Sequence, residues 1–142
     1  MMDPGAVIPH RPPFLFVDKI IEIGDSYAVG QKTFKEDEFF YKGHYPDYPI
    51  TPGVILCESV FQVAAFFAIN KLGSVSMEEG IPVLARVGEA RFRRSVFPGS
   101  TVTLRAEFLE SMGKFMMMQG AVLQGDKLSV SVKFSMAFTD SK

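Results

Sequence analysis

One cysteine in 142 residues leaves no internal disulfide to form. Cys57 stands inside an apolar run, where a thiol reads as a small buried filler rather than a reactive group, and a reducing, cytoplasmic setting is expected. Charge of one sign is lacking too: the formal net charge is -1 and the pI near 6.1. That excludes the strong basic excess of a general nucleic-acid or membrane-surface binder. The opening MMDPGAVIPHRPPF has neither a basic stretch nor the apolar run of a secretory signal. Repeats and low-complexity tracts are absent. The length of 142 residues suits one domain, expected over 1–142, with a core of its own.

What is present is concentrated between Gly43 and Leu72. The loop Gly43-His44-Tyr45-Pro46-Asp47-Tyr48-Pro49-Ile50-Thr51-Pro52-Gly53 has prolines at every third position, each fixing its own φ and pushing the preceding residue toward extended backbone. Such a loop holds His44 in place. Thr51-Pro52 reads as a helix start, with the threonine oxygen as cap and proline first in the helix, so a helix is expected from Pro52. From Val54 the apolar residues cover every face, interrupted before Asn70 only by Glu58, Ser59, Gln62 and Cys57. A helix apolar all round is a membrane span or the centre of a core. A carboxylate and an amide one turn apart behind Pro-Gly favour the core, and about 20 residues at 1.5 Å each need a large wrapping of roughly 30 Å, for which a curved sheet is the economical form.

The rest of the chain supplies the strands. After a proline-rich opening come Phe14-Leu15-Phe16-Val17 and Ile20 to Ile23; Gly24-Asp25 is a turn, and Tyr27 to Phe34 completes a hairpin. Gly73 to Gly80 is a connection. Ile81 to Val87 and Glu89 to Val96 read as strand, with Gly88 marking a bulge or bend. Pro98-Gly99 turns the chain into Thr101 to Phe108, which alternates apolar with polar. Phe115 to Leu123 follows, its three consecutive methionines suggesting burial on both faces, and Gly125-Asp126 leads to the alternating Leu128 to Phe138. Hairpin, long helix, then four antiparallel strands is an α+β order, matching a curved antiparallel sheet around one central helix, the hot-dog fold.

Read from pattern alone, the polar residues leave alternatives open. Glu58 is either functional or a structural carboxyl paired with Arg86 or Arg91; His44 is either functional or a loop histidine bonded to backbone. Alternation places Arg91 and Arg93 on one strand face, where with Arg94 they form a basic cluster or a plain solvated surface.

Four segments, in order, carry a resemblance: Ile8 to Asp18 (IPHRPPFLFVD), Gly43-His44-Tyr45-Pro46, Pro49 to Val54 running on to Glu58 and Gln62, and Arg91 to Gly99 (RFRRSVFPG). The chain resembles the 3-hydroxyacyl-(acyl-carrier-protein) dehydratases of bacterial fatty-acid synthesis, the FabZ type. The resemblance implies a homodimer, with a trimer of dimers as a further possible assembly, in which His44 of one protomer faces Glu58 of the other across the interface. It implies an acyl carrier protein as partner, met by Arg91, Arg93 and Arg94. Asp47-Tyr48 replaces the usual Gly-Arg, and Ser59-Val60-Phe61 is bulkier than the usual alanine-rich turn; these departures bear on acyl length and pathway more than on chemistry.

Eliminating water from a 3-hydroxyacyl thioester needs a base, an acid and a donor to the thioester oxygen, and no metal or cofactor. His44 is the natural base. Glu58, on an apolar helix, has its pKa raised by desolvation and serves as acid. The Gly53 amide, in the first helical turn, is the oxyanion donor, and Gln62, four residues from Glu58, supports that carboxyl. His10 reads as structural, bracing the first turn. Two rivals remain: a hot-dog acyl thioesterase, told apart by release of free thiol without enoyl product, and a non-catalytic acyl-binding subunit, suggested by the bulk of Tyr48 and Phe61. The isomerase-type dehydratases carry aspartate where Glu58 stands.

Overall fold

The computed structural model describes residues 1–72 and 80–139, so most of the expected connection after the helix lies outside the described residues. Its elements are β1 (Lys19–Ile23), β2 (Tyr27–Thr33), the helix α1 (Gly53–Leu72), β3 (Pro82–Phe92), β4 (Thr101–Met112), β5 (Phe115–Gln124) and β6 (Lys127–Phe138). All six strands join one open antiparallel sheet in the order β1-β2-β4-β5-β6-β3. The sheet curls around α1 and buries Val60, Val63, Ala64, Phe66 and Ala68 completely. By length and composition Gly53–Lys71 would cross a bilayer, yet most of that stretch is enclosed by the protein's own strands. The closest seat is at Gly120 on β5, where a Cβ would run into Val60 and come within 3.0 Å of the Arg105 carbonyl oxygen. Only glycine lets the helix lie so near the sheet.

Four expectations are corrected. The helix begins at Gly53, one residue later than Pro52, because the Pro52 carbonyl takes the first bonds from Ile55 N at 3.0 Å and Leu56 N at 3.2 Å, while the Thr51 hydroxyl is committed to Tyr41 Oη at 2.6 Å. Where two strands were expected over residues 81–96, a single one forms, Pro82–Phe92; it shifts register across Gly88. It also leaves its sequence neighbour β4 and pairs with β6, so the last three strands form a meander and β3 becomes an edge. The methionine run is one-sided: Met116 and Met118 are buried, whereas Met117 faces outward beside Leu109.

The edge position leaves β3 almost wholly exposed, Val83, Leu84, Val87 and Phe92 included. The N-terminal segment is irregular apart from a short 3-10 turn, Pro4–Ala6, and a bridge in which Met2 and Ile20 exchange backbone bonds of 2.9 Å. From Pro9 onward it runs as a strap along α1, tied to Gln62 at Phe14 and Phe16.

Candidate active site

Glu58 projects from the second turn of α1 into a cavity of about 360 Å³ whose other walls are mostly apolar, Phe61, Ala65, Leu84 and Met136 among them. Burial pushes its carboxyl pKa up, and a hydrogen bond from the Gln62 amide partly opposes that shift. Gln62 itself is fully buried and makes three bonds. Its Nε2 donates to Glu58 Oε2 at 3.0 Å and to the Phe14 carbonyl at 3.1 Å, while its Oε1 accepts from Phe16 N at 2.8 Å. The amide thus orients the carboxyl and stitches the strap to the helix. The remaining neighbour is His10 on that strap, with Nε2 3.8 Å from Glu58 Oε2. Among the described residues, Glu58 is bonded by Gln62 and faced by His10, and neither Arg86 nor Arg91 is its partner.

His44 lies elsewhere in the chain, on a loop closed at several points. Lys32 pairs with Glu38 at 3.1 Å ahead of the 3-10 turn Phe39–Gly43, the Tyr41–Thr51 hydroxyl bond joins the two ends of the loop, and Thr51 N donates to the Val96 carbonyl at 2.8 Å. Tyr45 takes a positive φ of 54° at the bend after His44. The prolines are therefore reinforced by side-chain and backbone closures. His44 Nδ1 lies 2.9 Å from the Ile50 carbonyl oxygen, which can only accept, so the ring proton sits on Nδ1 and Nε2 carries the free lone pair. The backbone-bonding alternative for this histidine is real, and it leaves the other nitrogen available as a base.

A second cavity, of about 570 Å³, joins His44 to Gly53, Phe92, Arg93 and Arg94. Gly53 stands at the helix start, where a Cβ would come 2.7 Å from the Phe92 ring. Arg93 and Arg94 both reach this cavity because β3 has already ended: both amides turn to one acceptor, the Ser129 carbonyl, at 2.8 and 3.3 Å. Arg91 does not line it and is held by Glu89 at 2.6 Å, so the expected pairing of Arg91 with Arg93 on one face is replaced by Arg93 with Arg94. Cys57 is buried, its thiol pushed up to about 11 by burial first and then by the nearby Glu58.

Within one chain, then, the candidate base and acid occupy different cavities, with the bare strand β3 contributing residues to both. His10 was missed as a neighbour of the acid. The signal available in the sequence was that both histidines sit in proline-fixed segments, His10 between Pro9 and Pro12-Pro13.

A helix enclosed by an open six-stranded sheet, carrying a half-buried carboxyl on its second turn, defines a hot-dog protein. The FabA-like domain family matches residues 8–133, and the chain belongs to that family. The protein named 3-hydroxyacyl-(acyl-carrier-protein) dehydratase FabZ in Geobacillus thermodenitrificans is 35% identical over 95% of this chain and 92% of its own length. The one of the same name in Clostridium perfringens is 38% identical over 75% of each chain. Among solved structures, a chain of the dehydratase heterocomplex ApeI:P from Xenorhabdus doucetiae superposes with a TM-score of 0.82 over 99% of this chain and 93% of that one, at 15% identity, a likeness of fold.

Proposed function

We propose that this protein is a hydro-lyase that converts 3-hydroxyacyl thioesters carried on acyl carrier protein into trans-2-enoyl thioesters, in fatty-acid biosynthesis. The observation that carries this reading is the Glu58 carboxyl, its pKa raised by burial in an apolar cavity and its orientation set by Gln62, in a chain that also holds an imidazole with a free Nε2. The names of its relatives favour dehydration over thioester hydrolysis. Against a non-catalytic subunit, Tyr48 is turned onto Phe97, with ring centroids 5.6 Å apart, and a cavity remains beside Phe61.

The steps balance without a cofactor. His44 Nε2 takes the α-proton, the electron pair left on Cα forms the double bond, and the C–O bond at C3 breaks as Glu58 gives its proton to the departing hydroxyl, which leaves as water. Charge growing on the thioester oxygen is met by the Gly53 amide at the positive end of the helix dipole.

A homodimer supplies the missing half of each site. The long, apolar, unpaired edge of β3 is the kind of strand that pairs with another copy. Such pairing would set His44 of one protomer against the partner's Glu58. Arg93 and Arg94, exposed at the mouth of the His44 cavity, suit the phosphate of a pantetheine arm and the acidic surface of a carrier protein. A reducing cytoplasm suits a chain with one buried thiol.

The test is enoyl absorbance with a 3-hydroxybutyryl thioester, wild type beside His44→Ala and Glu58→Gln. Each variant is expected to lose ~10² to 10⁴ of the rate. Folded wild type that yields no enoyl product, or that releases free thiol instead, overturns the reading.

A further inference from the structure

The imidazole of His10 has no part in the chemistry just described, yet it is one of two in the chain and it faces the acid. Three observations bear on it. Its Nδ1 is buried and has no hydrogen-bond partner among the described residues, while its Nε2 looks at Glu58 Oε2 from 3.8 Å. Its backbone is held: the Arg11 guanidinium donates to the carbonyls of Ile8 at 2.9 Å and His10 at 2.7 Å. The strap that carries it is stitched to α1 by the two Gln62 bonds at Phe14 and Phe16, so the ring's place over Glu58 is set by the same amide that aims the carboxyl.

An N–H on enclosed Nδ1 would have no acceptor, and burying an unpaired donor is costly. The proton therefore belongs on Nε2, the nitrogen facing the carboxyl. At 3.8 Å no hydrogen bond exists. The pair is apart in the resting site, where the Gln62 amide already donates to the carboxyl. Once the carboxyl has given up its proton, the apolar cavity holds an anion, and a small rotation of either side chain closes the gap.

We propose that His10 is a positioning residue for Glu58: its Nε2–H donates to the carboxylate as Glu58 loses its proton, stabilising the acid's conjugate base in a cavity that otherwise penalises it. A contact made only when charge develops lowers the barrier without tightening substrate binding. The kinetic half of this inference rests on the dehydratase reading, and the titration half does not. Burial and the neighbouring Arg11 hold the imidazole's pKa below its usual value, which keeps it a neutral donor. The other polar groups facing the pair are the Gln62 amide and the Cys57 thiol on α1 and Arg11 on the strap; the walls from β3 and β6 are apolar. In the proposed dimer the partner's His44 faces the same carboxyl.

The experiment follows the Glu58 carboxyl by ¹³C NMR in glutamate-labelled protein across pH, for wild type, His10→Leu and His10→Gln, with kcat and KM for a 3-hydroxybutyryl thioester in parallel. Loss of the donor in His10→Leu is expected to raise the Glu58 midpoint by about one pH unit, and to lower kcat about tenfold at constant KM. His10→Gln, which keeps an N–H, should recover most of both. A midpoint that stays in place in His10→Leu overturns the inference whether or not the protein turns over; a shifted midpoint with no enoyl product in wild type overturns only the dehydratase reading. ¹⁵N NMR of the two imidazoles in wild type needs no substitution, and a neutral His10 protonated on Nδ1 overturns the inference by itself.

Discussion

Replacing Gln62 with leucine tests whether this one amide joins strap to helix. The side chain has no exposure, and leucine fills a similar volume, so the loss is chiefly polar. Two backbone groups lose their partners: the Phe16 amide, buried and bonded at 2.8 Å, and the partly buried Phe14 carbonyl, bonded at 3.1 Å. An unsatisfied buried donor or acceptor costs ~1–3 kcal/mol, and the more accessible Phe14 carbonyl takes the lower end, giving about 2–4 kcal/mol for the pair. In a chain of this size that is a fall in Tm of roughly 8–15 °C. Urea unfolding at one fixed protein concentration reads the difference, because an associating protein's apparent stability depends on concentration. Gln62→Glu is the sharper control: it retains an oxygen for Phe16 N but sets a second oxygen against the Phe14 carbonyl and Glu58, and it should be less stable than Gln62→Leu. A Gln62→Leu protein within ~1 kcal/mol of wild type would show that strap and helix are held by packing alone and not by the Gln62 bonds.

Other outcomes follow from separate features. Because burial raises the Glu58 pKa, the folded state binds its proton more tightly than the unfolded state; the stability this gives is full below the unfolded value of 4.5 and is lost as pH rises through the folded value. Glu58→Gln should therefore gain stability relative to wild type between pH 4 and neutrality, and parallel denaturation curves across that range would refute the assignment. Cys57, with its thiol pushed up to about 11, should resist iodoacetamide at pH 7.5 until the protein unfolds, whereas rapid labelling of native protein contradicts the burial. Gly120→Ala forces a methyl against Val60 and should cost about 1–3 kcal/mol, read by thermal melting; an unchanged Tm means the helix has room to move. Val87→Lys on the exposed edge should shift the protein toward monomer in sedimentation equilibrium and abolish turnover with it, and an active monomer would refute the shared site.

The helix, the proline loop and the β4–β6 meander were legible because each rests on local rules: an apolar run after Thr-Pro-Gly, fixed φ at prolines, and alternation of period two. What escaped depends on partners distant in sequence. Nothing in residues 82–92 says that their partner is β6 rather than β4. The end of that strand at Phe92, which puts Arg93 beside Arg94, is set by one carbonyl, Ser129. The placement of His10 over Glu58 depends on Gln62 bonding residues 46 and 48 positions earlier. The three methionines read as buried on both faces because an apolar run carries no mark of which side will be covered, and Met117 turned out to face outward.

The strand order has a consequence for synthesis. β3 leaves the ribosome well before β6, the strand that will flank it, and at ~5–20 residues per second the interval from Phe92 to Phe138 is roughly 2–9 s. For that time an apolar strand has neither of its edges paired. On a polysome, neighbouring nascent chains present the same strand at the same stage. The strand whose free edge is proposed to join two finished protomers is thus exposed to its own copies before its other edge meets β6, and the rate of translation through residues 93–138 becomes a determinant of how many chains assemble and how many aggregate.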